Sequence, residues 1–408
     1  MSFFGLLRLP ASIVFGSGQR AVAAATAAQL GSRVLVCTDA RLGAEPVFHT
    51  LLADLHNAGL TTRVFDRTQP DVPLASVHDC LKDATGFKPE VVIGIGGGSS
   101  MDLAKAVTLL LTHGGRPEQY YGENKVPGPL LPVIAIPTTA GTGSEVTPVA
   151  VLGDTERQTK VGISSPYLIP KVAICDPQLT LSCPPEITAV SGADALTHAV
   201  ESFTAARRPL TPRLSIDNVF VGKNVLSDQF ALLAITNIWK FLHRAYVDGS
   251  DLQAREGMML AALAAGCSFG TAGTAAAHAI QYPVGNDTHT AHGAGVALLL
   301  PYVMEYNRPE AVDTYAAIAR AVGLGTADST GEQLSFAVID AIAALLASVG
   351  IPRTLEELGL AADRQDWTAE SALGIARLIN NNPRKIDIAA MRRITHAAFS
   401  GDRLALRT

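Results

Sequence analysis

Short, almost wholly apolar runs alternate with helix-compatible stretches through the first 183 residues of this 408-residue chain, and after Cys183 the alternation stops. Residues 33–38 (RVLVCT), 61–65 (TTRVF), 91–96 (VVIGIG), 133–136 (VIAI) and 171–175 (KVAIC) read as strands. Between several of them, 20–30, 46–58, 72–85 and 101–112 carry helical periodicity. A strand that is apolar at nearly every position has both faces covered, and parallel neighbours need a crossover of helix length to connect them. The first half is therefore expected to be an α/β domain with a mostly parallel sheet, residues 1–183. An extended excursion at 149–161 (VAVLGDTERQTKV) reads as a hairpin.

Pro184 and Pro185 punctuate the change, and the rest of the chain is Ala/Leu-rich with helical spacing at 189–205, 227–246, 252–265, 309–322, 331–348 and 371–379. An all-α domain over 184–408 is expected, with no repeat or low-complexity linker before it. The cleft between two such halves is the natural place for a ligand. Hydrophobic residues at 48% and charged residues at 17% suit a packed core rather than disorder. A net charge of −5 with no Lys/Arg run argues against a nucleic-acid partner. Cys37, Cys80, Cys175, Cys183 and Cys267 form no CxxC, which speaks against a thiolate zinc site and for a reducing compartment. The five-residue apolar run before Arg8 and Pro10 is too short for a signal-peptide core, and VALLLPYVM and AVTLLL are too short to span a bilayer. A cytoplasmic protein with no membrane partner is the expectation.

The most pointed local pattern in the first half is VVIGIGGGSSMDLAKA, a buried strand, a glycine run and a helix start. Gly96, Gly97 and Gly98 let backbone approach a ligand, and the helix beginning near Ser100 aims free N–H groups at an anion. Ser99 or Ser100 can cap that helix or meet a phosphate, and Asp102, near its first turn, is a further candidate for cofactor contact. The spacing G-x-G-x-x-G is not met, because Ser99 stands where the third glycine would be. Asp39 ends an earlier strand; if the two strands are neighbours, its carboxylate could bond a ribose diol and repel a 2′-phosphate, favouring NAD over NADP. A second loop, IPTTAGTGSEVTP, crowds the hydroxyls of Thr138, Thr139, Thr142 and Ser144 around two glycines, as a pyrophosphate or ribose site would.

In the second half, Asp194 and His198 sit four apart in GADALTHAVESF, on one face of a helix. His278 and His292 flank HAIQYPVGNDTHTAHG, whose Gly, Asn and Asp read as a loop that can carry one histidine back to the other. One carboxylate and three neutral imidazoles would make a site for a borderline divalent metal, Fe(II) or Zn(II). An Asp-x3-His pair alone is more often surface or capping chemistry on an amphipathic helix; the company of the other motifs decides.

With these clusters in this order, the chain resembles the iron-containing (group III) alcohol dehydrogenases along nearly its full length. GGGSSMDLAKA, IPTTAGTGSEVT, GADALTHAVESF and the 278–292 segment running into GVALLLPYVMEYN all match in order and approximate spacing. The resemblance implies a Rossmann-like dinucleotide-binding domain followed by a helical metal domain, as in dehydroquinate synthase. It implies metal ligation by Asp194, His198, His278 and His292, Fe(II) being favoured and Zn(II) the alternative. It further implies NAD contacts from Gly97, Gly98, Ser99, Thr138, Thr139 and Lys160, with Asp39 at the position associated with NAD preference. A homo-oligomer, a dimer or larger, goes with the family.

Two departures stand out. Many members carry a histidine four residues after the first His of the third motif; here the position is Tyr282, whose phenol is a poorer base at neutral pH than imidazole. His289 lies in the same stretch and could substitute. The segment FTAARRPLTPRLSIDNVFVGKNVLSDQ is also long, and with Tyr282 it resembles the hydroxyacid–oxoacid transhydrogenase branch. Its basic residues Arg207, Arg208, Arg213 and Lys223 could meet a substrate carboxylate, against the plainer reading of a surface excursion near a subunit boundary.

The expected activity is metal-dependent hydride transfer between NAD(H) and a small alcohol or its aldehyde or ketone, with Phe269 and Val149 as apolar walls. The nearest rival is a transhydrogenase that retains its nucleotide. A dehydroquinate synthase-like lyase would need Lys and Arg for a phosphorylated sugar, and GTAGTAAAHAI before His278 supplies none.

Overall fold

The computed structural model describes residues 3–154, 156–157 and 159–407, and the chain divides into two compact units. One comprises Arg8–Cys183 with Ser215–Val219. The other comprises the amino-terminal segment as far as Leu7, Pro184–Leu214 and the chain from Phe220 onward. The expected division into 1–183 and 184–408 is corrected at those two places. Ser215–Val219 is tied into the α/β unit by polar bonds: Arg8 Nη1 donates to Val219 O (2.8 Å), Asn124 Nδ2 donates to Asp217 O (2.9 Å), and Glu123 Oε2 accepts from Val219 N (3.0 Å).

The α/β unit runs β1 (Ser12–Phe15), α1 (Ala23–Ala28), β2 (Arg33–Cys37), α2 (Ala40–Gly43), α3 (Pro46–Asn57), β3 (Thr61–Phe65), α4 (Leu74–Thr85), β4 (Val91–Gly96) and α5 (Gly98–His113). It continues through β5 (Gly122–Glu123), β6 (Val133–Pro137), β7 (Val149–Asp154), β8 (Thr159–Ser164) and β9 (Val172–Cys175). Six strands form a sheet in the order β1-β9-β6-β4-β2-β3, every pair parallel. The continuous apolar character of its inner strands has the expected cause. Val34 and Val36 enter a core with α1 and α3, while Leu35 and Cys37 enter a second core with α4 and α5. Each such side chain contributes about 1.5–3 kcal/mol by leaving water. The edge strands β1 and β3 are half exposed. β1 carries too few residues for a readable period and is held by its pairing with β9.

The expected hairpin is β7 and β8, paired antiparallel and carrying on to Ser164; Thr155 and Gln158, which fall within the expected segment, lie outside the described residues. The helix expected from 72 begins instead at Leu74, because Val72 has φ 47 and Pro73 is the N-cap.

The helical unit contains α6 (Pro185–Thr204), α7 (Leu214–Asp217, which runs on into the other unit), α8 (Val225–Val247), α9 (Leu252–Ala272), α10 (Ala276–Thr288), α11 (His292–Ala321), α12 (Gly331–Ser348), α13 (Gln365–Leu373), α14 (Ala376–Ile379) and α15 (Ile388–Ser400). The stretch read as one helix at 371–379 is two, separated around Gly374. The helix expected from Pro309 is the second half of α11, where Ala311 (φ −130) marks a kink just after the proline. α12 is long and apolar enough to cross a membrane, with mean hydropathy 1.3. Its Leu334, Val338, Ile339, Ile342 and Leu346 form one buried stripe while Glu332 and Asp340 lie off it, the pattern of a core helix in a globular unit.

Candidate functional site

β2, β4 and β6 are neighbours and parallel, so Asp39, the glycine run and the Thr-rich loop all follow the carboxyl ends of adjacent strands. The chain order reverses between β2 and β4, the kind of position at which open α/β sheets bind ligands. Gly96 has φ 147, and its carbonyl accepts from Thr138 N at 2.9 Å, joining the two loops at their roots. α5 begins at Gly98 with Gly97 as N-cap and no capping side chain. The expectation that Ser99 or Ser100 caps it is thereby corrected, and the first-turn N–H groups remain suited to an anion. A side chain on Gly98 would begin 2.8 Å from Thr142 Cγ2, so the loops approach there only because residue 98 has none.

Asp39 is the N-cap of α2, with Oδ1 accepting from Leu42 N at 2.9 Å. Its Oδ2 lies 3.6 Å from where a side chain on Gly96 would begin, so the second oxygen faces the glycine run. Thr138 Oγ1 is buried without a hydrogen-bond partner, and Thr139 Oγ1 lies 3.7 Å from the Cβ position of Gly97. Lys160, on β8, has Nζ 2.6 Å from Asp71 Oδ1.

Asp102 lies in the second turn of α5 rather than its first, and both oxygens are committed within the protein. Oδ1 accepts from Ser144 Oγ (2.5 Å) and Oδ2 from Val151 N (2.9 Å). Beside it Lys105, its side chain wholly buried, has Nζ 3.8 Å from Asp102 Oδ1. At an effective dielectric near 20 that attraction is about 4 kcal/mol, which offsets part of the several kcal/mol of desolvation each buried ion carries. Burial lowers Lys105 to about 8, with Asp102 and Glu145 pulling the other way. Burial likewise raises Glu145 to about 7 and lifts Asp102 above the usual carboxylate range.

In the helical unit, α6 is buried nearly all round from Thr188 onward, as a central bundle helix is, and presents Asp194 and His198 one turn apart. α10 supplies His278 in its first turn and α11 supplies His292 as its first residue. One donor atom from each of Asp194, His278 and His292 falls within 4.8 Å of the others. The Nε2 atoms of His198, His278 and His292 stand 3.7, 3.9 and 4.0 Å from Asp194 Oδ1. Donors about 2.1 Å from a tetrahedral ion would be about 3.4 Å apart, so the histidines need draw in toward Asp194 by only a few tenths of an ångström. His198 stands outside the tightest three; its ring is stacked between Phe269 (4.1 Å) and His278 (4.8 Å). Phe269, expected as a pocket wall, is thus a support for a candidate ligand.

Glu201, one turn further along α6, escaped the sequence reading although positions 194, 198 and 201 share one helix face. It is 2% exposed; Oε2 lies 2.6 Å from His278 Nδ1 and accepts from Ala275 N (2.8 Å), while Oε1 accepts from Ala277 N (2.7 Å). One carboxylate therefore serves the open N–H groups at the start of α10 and holds the proton of His278 on Nδ1. The other nitrogen, Nε2, is buried without a hydrogen-bond partner and lies toward Asp194. A buried lone pair facing a buried carboxylate is unfavourable unless a cation lies between them, so the donor set fits a divalent ion.

The stretch between His278 and His292, expected as a loop, is mostly α10. Pro283 stands inside it, and burial of Ile280, Gln281 and Val284 overrides the breakers in its sequence. Tyr282 is half-buried, its ring centroid 6.2 Å from that of His292. His289 is exposed and closes α10 with φ 55. Gln281 is 1% exposed, neither amide atom has a hydrogen-bond partner, and Oε1 lies 1.7 Å from where a side chain on Gly295 would begin. Of the basic residues considered for a substrate carboxylate, Lys223 is committed to Asp228 (2.7 Å) and lies 3.9 Å over the Phe203 ring, and Arg207 forms a backbone bridge with Gly222.

The family model for iron-containing alcohol dehydrogenase matches residues 10–177, and that for the C-terminal part of the Fe-containing alcohol dehydrogenase family matches 188–399. The chain is 37% identical over 377 residues to long-chain-alcohol dehydrogenase 1 of Geobacillus thermodenitrificans, covering 91% of each. It is 34% identical over 409 residues to choline dehydrogenase of Bacillus subtilis, covering 98% of this chain and 96% of that one. The crystal structure of a 1,3-propanediol oxidoreductase matches with a TM-score of 0.90 at 32% identity, over 98% of this chain and 100% of the other. The parallel sheet followed by a helical region is the fold of these proteins. The chain belongs to the iron-containing alcohol dehydrogenase family, and it is an NAD(H)-dependent oxidoreductase of alcohols and aldehydes.

Proposed function

We propose that Asp194, His198, His278 and His292 hold one divalent ion, Fe(II) in preference to Zn(II), and that the α/β unit, Arg8–Cys183 with Ser215–Val219, forms the NAD-binding domain while the helical unit forms the metal domain. The observation that carries the reading is His278, whose buried Nε2 is turned toward Asp194 while Glu201 occupies Nδ1. Three imidazoles and a carboxylate suit both metals, and family membership favours iron. Such an ion supplies Lewis acidity at the substrate oxygen, and the nicotinamide supplies the hydride acceptor or donor.

The chain's own residues do the remainder. Glu201 fixes the tautomer of His278, and the Phe269 ring stacked on His198 limits its rotation and keeps water from that face. Tyr282 is the group proposed to pass the hydroxyl proton, from a position one ring away from His292. In the α/β unit, Gly97, Gly98, Ser99 and the first-turn N–H groups of α5 would meet the pyrophosphate, assisted by the hydroxyls of Thr138, Thr139 and Thr142. Asp39 would take the ribose diol through Oδ2, and Lys160 would reach the cofactor from β8 once released from Asp71. The substrate is a small alcohol or aldehyde. A cytoplasmic homo-oligomer is proposed with it; the absence of any disulfide among five buried cysteines agrees with a reducing compartment.

Anaerobic chelation, reconstitution with Fe(II) or Zn(II), and assay against a panel of primary alcohols and aldehydes tests the reading. Turnover should return with Fe(II), more weakly with Zn(II), and release NADH in step with alcohol consumed. Undiminished turnover in the metal-free protein would overturn it.

A further inference from the structure

Two nucleotide loops leave the carboxyl ends of β4 and β6, and nothing in their own sequence ties the second to the helix that follows the first. That tie is made by Lys105. Its Nζ donates to Ser144 Oγ (2.9 Å), Thr147 O (3.1 Å) and Val149 O (2.8 Å), all in the stretch from the Thr-rich loop to the start of β7. Asp102, one turn earlier on α5, takes the same Ser144 hydroxyl at 2.5 Å and Val151 N at 2.9 Å. Ser144 Oγ therefore accepts from the lysine and donates to the aspartate, so it has no proton left to offer a phosphate oxygen.

An ammonium group this buried is rare unless it is paired and fully bonded. Here the strand ladder alone could not hold the Thr-rich loop, because that loop has left β6 and β7 has not yet begun. Three of the ammonium's acceptors lie on this one segment, so the ion fixes backbone rather than merely finding a partner. The segment it fixes contains Thr142, which abuts Gly98, and begins just after Thr138 and Thr139.

We infer that Lys105, Asp102 and Ser144 form a clamp that positions the Thr-rich loop against the start of α5 for the nucleotide, without touching the nucleotide themselves. The inference rests on the proposed NAD site in the α/β unit and deepens it. It also reassigns Asp102, whose oxygens are engaged by Ser144 and Val151, from cofactor contact to positioning residue.

The test is NADH binding by fluorescence to the intact protein, with metal content, melting temperature and alcohol KM at saturating nucleotide measured alongside. Lys105→Met should raise the NADH dissociation constant by about tenfold or more, through loss of charged hydrogen bonds. Its metal content and alcohol KM should stay unchanged. Ser144→Ala keeps the ion pair and removes only the shared hydroxyl. It should raise the dissociation constant by about threefold with little change in melting temperature. If Lys105→Met does not fold, Ser144→Ala decides. NADH binding within about twofold of wild type in the folded variants overturns the clamp, even where the melting temperature falls. Parallel loss of metal, alcohol and nucleotide binding overturns it too, since that marks a merely structural role. A wild-type protein that fails to bind NADH overturns the nucleotide site itself, and the clamp with it.

Discussion

The helical unit builds its candidate site from side chains, and the α/β unit builds the phosphate-facing part of its own from backbone. Asp194, His198, His278 and His292 project from α6, α10 and α11, and a fifth side chain, Glu201, orients one of them. In the α/β unit the equivalent work falls to Gly96, Gly97, Gly98 and the uncapped N–H groups of α5, where side chains are kept out. The difference teaches where each site is fragile. The first fails when a ligating side chain is taken away; at the glycine run of the second, failure comes when a side chain is added.

The largest effect should come from Asp194→Ala, which removes the carboxylate oxygen lying within 4.0 Å of all three imidazoles. Alcohol kcat/KM should fall by about a thousandfold or more while NADH affinity is unchanged. Next, Glu201→Gln keeps the size of the side chain but weakens its hold on His278 Nδ1. Metal affinity, read by chelator competition, should fall by about 10–100-fold, again with NADH binding intact. The smallest effect is expected from Gly98→Ala, whose Cβ would meet Thr142 Cγ2 at 2.8 Å. NADH should bind about tenfold more weakly while metal content holds, because a shift of a few tenths of an ångström relieves the clash. If Gly98→Ala cost metal, or Glu201→Gln cost nucleotide, the contrast between the two units would collapse.

The sequence carried the fold well where one physical rule dominated. The parallel sheet was legible because β4, β6 and β9 are apolar throughout and β2 is so after Arg33, and burial on both faces leaves no other reading. α10 was not legible. Pro283, Gly285 and Asn286 each lower helix propensity, and only packing of Ile280 and Val284 keeps the segment helical. The same split holds at the sites. Asp194 and His198 are paired by local spacing, but their approach to His292 depends on how α11 starts, which no spacing reveals. Glu201 was within reach by period, while the clamp role of Lys105 depends on bonds to residues about forty positions away. Asp39 was legible as a nucleotide candidate by its place at a strand end, while its second task is visible only in the fold: one oxygen caps α2 and the other faces the glycine run.

The Gln281 carboxamide occupies the space that a side chain on Gly295 would need. For anyone reshaping this enzyme, positions 281 and 295 are therefore one locus rather than two. A library that enlarges residue 295 alone will return mostly dead clones, and one that shrinks residue 281 alone will leave a hole beside a histidine-bearing helix. Varied together, with the sum of their volumes held constant, the two offer a route to a repacked interior that single substitutions at either position cannot reach.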